Sequence, residues 1–264
     1  MIFQRELKRS RKALIIWSLV MAGLIIWLLS MFPSFAEQQN TMNELFEAYP
    51  ESMRKMFNMD TLSLGTLIGF YGIEVYMMTT LLGSIYVALL ASNILAKEES
   101  EKTIEFLLSK PVSRNQIVAE KLFAVVVNII IFNIVAVISS IVGFQFAEEK
   151  VPWDTFALLS IATLFLHLTF ATLSFLFSAI MRKTRNILSI SLAVVIVSYF
   201  INIMSGLSDD LDMLKYFSPF KYVDSASIIT NNVFETIYIV LMSAIILISV
   251  IAAFLIYKKK DMTV

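Results

Sequence analysis

The stretch from Lys97 to Lys121 reads KEESEKTIEFLLSKPVSRNQIVAEK. It is the one long charged segment of an otherwise apolar chain, and it lies between two hydrophobic runs. Lys97 with Glu101, and Glu98 with Lys102, are opposite charges four residues apart, a spacing that supports a solvated helix. Ile104, Leu107 and Leu108 fall on one helical face. Pro111 ends that helix, because the residue before a proline is pushed out of the α region. Ser113 stands three residues before Gln116, the pattern of a capping box, and starts the next helix. The segment reads as a short amphipathic helix, a turn at Pro111, and a helix that re-enters apolar sequence. Its apolar stripe has two readings. It docks a soluble partner, or it rests on the membrane surface or on the protein's own helix ends.

The composition agrees with a membrane setting. Of 264 residues, 58% are apolar and 16% charged, and the mean hydropathy is +0.78. A soluble domain carries about 25% charged residues, so the surplus of Phe, Ile, Leu and Met is expected to face lipid. The formal net charge is zero, which gives no argument for nucleic acid. The chain has no Cys, hence no disulfide framework and no thiolate site. His167, the single histidine, cannot form a His-based metal cluster alone. No catalytic residue and no metal site are expected.

Six apolar runs are long enough to cross the hydrocarbon: about 13–32, 65–96, 117–143, 154–181, 186–206 and 234–257. The second is overlong and carries Gly65, Gly69 and Gly72, so a kink or break is expected there. No linker, repeat or soluble domain interrupts the runs, and 1–264 reads as one transmembrane domain. Basic residues gather in alternate flanks: Arg5, Lys8, Arg9, Arg11 and Lys12; Lys97, Lys102, Lys110, Arg114 and Lys121; Arg182, Lys183 and Arg185; Lys258, Lys259 and Lys260. These are sixteen of the 21 Lys and Arg residues, a bias that places those flanks and both termini in the cytoplasm. The run from Ala13 to Phe32 exceeds the roughly 7–15 residues of a signal-peptide core, so no cleavage is expected.

The residues quoted from the charged segment carry a resemblance. An acidic pair (Glu98, Glu99), a Thr-x-Glu (Thr103, Glu105), two leucines (Leu107, Leu108), Pro111-Val112-Ser113-Arg114 and a following Lys121 resemble the permease subunits of the ABC-2 type transporter superfamily. Tyr49-Pro50-Glu51 followed by Met53, Met56 and Phe57 is similar to that family's outer Pro-led amphipathic segment. Tyr216-Phe217-Ser218-Pro219-Phe220 is similar to its motif before the last helix. One departure is Lys102, which stands where a Gly is usual before the Thr. A Lys there is expected to make the helix more continuous than Gly would.

The resemblance implies an all-α polytopic protein of ABC-2 (type V exporter-like) permease fold, with an N-terminal elbow helix at 1–12 and a cytoplasmic coupling helix in the loop 97–116. It implies that the loop seats in a cytoplasmic ATPase subunit, with Glu98, Glu99, Lys102, Thr103, Glu105, Leu108 and Arg114 as contacts. Two permeases, the same or related chains, and two ATPases would assemble in a bacterial cytoplasmic membrane, with ATP and Mg on the ATPases. In the elbow, Ile2, Phe3 and Leu7 would enter the interface while Arg5, Lys8, Arg9 and Arg11 meet lipid headgroups or the ATPase; a plain positive-inside flank is the other reading. Permeases that export amphipathic peptides, such as phenol-soluble modulins or bacteriocins, are similar in size.

The chain has no Gly-rich turn followed by Lys-Ser/Thr to cradle phosphates, so the force is expected from another chain. Away from the run ends, Glu74 is the one acid inside a hydrophobic run: a substrate-path residue, or a carboxylate at the outer interface. His167, Asn128, Asn133 and Asn202 line a conduit or hydrogen-bond between helices. Gly65 and Gly69 are spaced for close helix contact. The 207–233 segment, with Pro219 and Tyr222, is long for a plain loop and is expected to be structured. An ATP-driven exporter of an apolar or amphipathic substrate is the leading function. An ion- or proton-coupled secondary transporter is the alternative, and it predicts broken helices and buried carboxylates near the midplane. An intramembrane hydrolase fits poorly with one His and no Cys. A receptor or assembly partner without transport is the last reading.

Overall fold

A computed structural model describes residues 2–38, 49–50, 53–54, 59–105, 112–206 and 209–261. Within them the order is α1 (Ile2–Glu37), α2 (Leu67–Ser92), α3 (Lys97–Ser100), α4 (Arg114–Gly143), α5 (Trp153–Ile180), α6 (Thr184–Ser205), α7 (Pro219–Tyr222), α8 (Ser225–Asn231) and α9 (Thr236–Lys259). No strand occurs among the described residues. Six helices, α1, α2, α4, α5, α6 and α9, are long and apolar enough to cross a membrane. They coincide with the six apolar runs to within a few residues, except at the start of the first. There α1 is unbroken for 36 residues, about 54 Å at 1.5 Å per residue, against a hydrocarbon core of about 30 Å. Residues 2–12 are therefore the projecting end of the first span, continuous with it.

The helices α2 and α5 form the centre, with α1, α4, α6 and α9 around them. Side chains explain the close approach. Gly83 of α2 faces His167 of α5, and a Cβ at that position would stand 2.2 Å from the imidazole Nε2. Trp17, Tyr86, Phe132 and His167 then make a ladder of rings through α1, α2, α4 and α5. Gly143 of α4 plays the same part against Leu29 of α1. Outward faces are apolar and exposed: Ile16 and Leu19 on α1, Ile134 and Ile138 on α4, Val197 and Phe200 on α6, Leu247 and Ile251 on α9. In water such a surface would aggregate; in lipid it is the ordinary boundary.

The anticipated irregularity in the second run is a π turn at Tyr71–Val75, which includes Gly72 and Glu74. Gly69 does not bring two helices together. Its missing Cβ makes room for the Ser63 carbonyl, in the turn that precedes α2. The expected Pro-led segment around Glu51, Met56 and Phe57 lies outside the described residues, as do Leu107, Leu108 and Pro111.

The 207–233 segment is structured, as its length implied. After a 3-10 stretch (Asp209–Phe217), Pro219 takes the first position of α7, where its fixed φ suits a helix start. Ser218 donates to the Ser198 carbonyl at 2.7 Å, seven residues before the end of α6 and thus about 10 Å down that helix. Tyr76 donates to the Val223 carbonyl at 2.9 Å, and Phe220 packs on Phe170 and Tyr199. The segment folds back into the bundle as a plug between α2, α5 and α6.

Candidate functional site: an ion-pair clasp at the basic end

All the basic flanks in the described residues meet at one end of the bundle, together with both ends of the described chain. The short helix α3 is the hub. Glu98 Oε2 lies 2.5 Å from Lys121 Nζ of α4, and its Oε1 lies 3.3 Å from Arg5 of α1. Glu99 reaches the other way: Oε2 is 3.0 Å from Lys260, just past α9, and Oε1 is 3.3 Å from Arg182, just before α6. Lys97 pairs with Glu6 of α1, and Glu101 with Arg9 at 2.5 Å. The turn ahead of α3 is seated on α5, where Ser178 Oγ accepts from the backbone N–H groups of Leu95 and Ala96 at 2.9 and 3.1 Å. Arg114 donates to the Lys258 and Lys260 carbonyls at 3.2 and 2.6 Å. One stretch, 93–101, is thereby tied to α1, α4, α5 and α9 and to the turn leading into α6.

Burial grades these contacts. Side chains of Glu6, Glu98, Glu99 and Lys121 are almost fully enclosed, whereas Arg5, Arg9 and Arg182 are about half exposed at the rim. Buried pairs are expensive to form and more expensive to break, because the remaining charge has no solvent. The rim pairs contribute little by comparison. The inner pairs therefore specify one mounting of α3, and the rim pairs trim it.

Two expectations about this segment are corrected. The local pairs Lys97–Glu101 and Glu98–Lys102 do not form, since each of Lys97, Glu98 and Glu101 turns to a distant helix instead. Nor does Lys102 prolong the helix. The α3 helix stops at Ser100, and Lys102 has φ 56, in the left-handed region. Thr103 N–H donates to the Glu98 carbonyl at 2.8 Å, and Lys102 N–H to that of Glu99 at 3.3 Å. Those two bonds make a Schellman ending, whose left-handed residue is usually Gly. The Gly common in the resemblance sits at that residue; here a Lys accepts the strain.

The remaining candidates separate into groups. Lys102, Thr103 and Glu105 are exposed beyond the clasp, while Ile104 is buried. Leu108 lies outside the described residues. Ser113 caps α4 by accepting from Gln116 N–H at 3.2 Å, one half of the expected box. The Gln116 side chain donates instead to Glu120. Glu74 is remote, on the π turn toward the opposite end, half-buried and without a hydrogen-bond or ion-pair partner among the described residues. His167 Nδ1 meets Asn133 Oδ1 at 3.1 Å, and Ser10 meets Asn128 at 3.1 Å, so these polar residues join helices. Asn202 lines a small cavity of about 60 Å³ under the plug.

Sequence reasoning missed Arg5, Glu6, Arg182 and Lys260 as partners of the segment. Glu6 carried a signal: it is the one acid before Glu37, set among five basic residues.

Six spanning helices gathered by a charged hub at one end define a polytopic α-helical membrane protein. The chain belongs to the ABC-2 transporter family: its sequence matches the family described as ABC-2 family transporter protein over residues 1–262. It is thus the membrane subunit of an ABC transporter, a family that works with an ABC ATPase. No curated protein matches the sequence.

Proposed function

We propose that this chain is the permease of an ATP-driven exporter for an apolar or amphipathic substrate, powered by a separate ATPase that presses on the loop 97–116. The observation that carries this reading is the clasp. A push on a free loop is lost in loop motion, but a push on α3 is delivered to α1, α4 and α9 through buried pairs, to α5 through the Ser178 hydrogen bonds, and to the start of α6 through the rim pair with Arg182. The exposed Lys102, Thr103 and Glu105, with Leu108, receive the ATPase. Glu98, Glu99 and Arg114 act one step back, as the mount. The basic end faces the cytoplasm, and a second permease, the same or a related chain, completes the conduit. Glu74 belongs to the substrate path, since an unpaired acid on a π turn suits a functional position. The size and apolar character fit an amphipathic peptide cargo.

The test is co-purification. Leu108→Glu should release the ATPase from the detergent-solubilised complex while leaving the chain's unfolding midpoint unchanged. Retention of a fully active ATPase by Leu108→Glu would refute the docking site.

A further inference from the structure

A cavity of about 340 Å³ opens beside the clasp, between α1, α2 and α4. Inside it Lys97 and Glu6 pair with each other and are enclosed, so neither calls for a ligand. The rim is different. Arg9 of α1 and Glu101, just past α3, both line the cavity, are each about half exposed, and pair with each other. An exposed pair contributes little and gives way to a competing ion. Arg9 has given one of its five donors to Glu101, and its flat guanidinium fork suits an oxyanion. The Asn93 amide lines the same cavity and makes no hydrogen bond among the described residues; its oxygen is sealed in the wall, which leaves the NH2 as the polar end not enclosed. Arg9, Ala13, Ile16 and Val20 stand at i, i+4, i+7 and i+11, on one face of α1, and all four are exposed. The guanidinium thus lies one turn before an apolar track that continues into the hydrocarbon, with Leu90 of α2 on the facing wall. Glu101 has no such track: exposed Lys102 and Thr103 follow it.

From this geometry we infer that the cavity binds a monoanionic amphiphile, its head on the Arg9 guanidinium in place of Glu101 and its tail along Ala13, Ile16 and Val20. Glu101 is released to water as the ligand arrives, so occupancy unfastens α1 from the end of α3 at this point. An anionic phospholipid and a free fatty-acid carboxylate share this chemistry. Binding does not depend on the exporter reading, since it needs neither the ATPase nor transport.

The experiment is native mass spectrometry of the purified full chain in neutral detergent, offered phosphatidylglycerol, hexadecanoate, hexadecanol or hexadecylamine in turn. At least one of the two anions should be retained, and the alcohol and the amine should not. Arg9→Gln should weaken retention about tenfold or more, as expected for hydrogen bonds to a charged group. Arg11→Gln removes the same charge from the same helix but outside the cavity wall, and should change retention less than about twofold. Glu101→Gln removes the competitor and should strengthen retention about two- to fivefold, a gain that a misfolded variant cannot produce. A preference for phosphatidylglycerol supports a membrane lipid as the ligand, and a preference for hexadecanoate supports a free amphiphile. Retention of neither anion, equal retention of the amine, equal losses from Arg9→Gln and Arg11→Gln, or no gain from Glu101→Gln overturns the site.

Discussion

The Glu98 carboxylate lies 2.5 Å from the Lys121 ammonium, 23 residues further on, and both are sealed from solvent. Its neighbour Glu99 reaches a different helix altogether. Consecutive residues on a helix point about 100° apart, so two adjacent acids on one short turn can grip opposite sides of a bundle. A hub four residues long thus fixes the relative positions of helices far apart in sequence.

Removing one partner of a buried pair costs about 3–5 kcal/mol, because a charge is stranded. Lys121→Met leaves Glu98 with only the rim cation Arg5. It should lower the unfolding midpoint in detergent more than the double variant Glu98→Gln, Lys121→Met does. Thermal unfolding of the two singles and the double measures this; additive losses would show the groups to be uncoupled.

Lys102 is the reverse case, a place where less side chain should help. A non-Gly residue in the left-handed region costs about 1–2 kcal/mol, and the Lys102 side chain is exposed. Lys102→Gly should raise the unfolding midpoint, and Lys102→Ala, which keeps the Cβ, should not. A gain with Ala equal to that with Gly would trace the effect to charge instead of backbone.

Gly83→Ala places a methyl 2.2 Å from His167 Nε2, and overpacking of this kind costs about 1–3 kcal/mol. We expect reduced thermal stability, partly restored when His167→Ala is added. No restoration would mean that the α2–α5 contact is not what Gly83 serves.

The spans were legible because lipid imposes a simple rule: about 20 apolar residues bounded by charge. Their ends were found from Lys97, Arg114, Arg182 and Lys258, and the cap of α4 from Ser113 and Gln116. The length of 207–233 signalled that it is structured, whereas the helix start at Pro219 came only with the fold. The clasp was not legible. Glu98 beside Lys102 satisfies a local spacing rule, and nothing local reveals that Lys121 and Arg5 compete for the same carboxylate. Pairs 91 to 93 residues apart exist only after the helices pack. Lys102 misled for a related reason. Helix propensity favours Lys over Gly, but the ending at Ser100 is imposed by where Glu98 and Glu99 must point.

Orientation across the membrane can be read by single-cysteine labelling, since the chain contains no Cys. In intact cells a membrane-impermeant maleimide should label Lys150→Cys, in the turn between α4 and α5, and should label Lys102→Cys only after lysis. The opposite pattern would invert the protein.

The most direct test of the central claim uses the same background. Glu105→Cys, exposed just beyond the clasp, is treated with a short thiol-to-amine cross-linker in native membranes, with and without ATP, and the adducts are identified by mass spectrometry. The account predicts a covalent adduct with a P-loop ATPase whose yield changes with nucleotide, and no such adduct from Lys150→Cys. Absence of an ATPase adduct at Glu105→Cys, or equal yields from both positions, would contradict it.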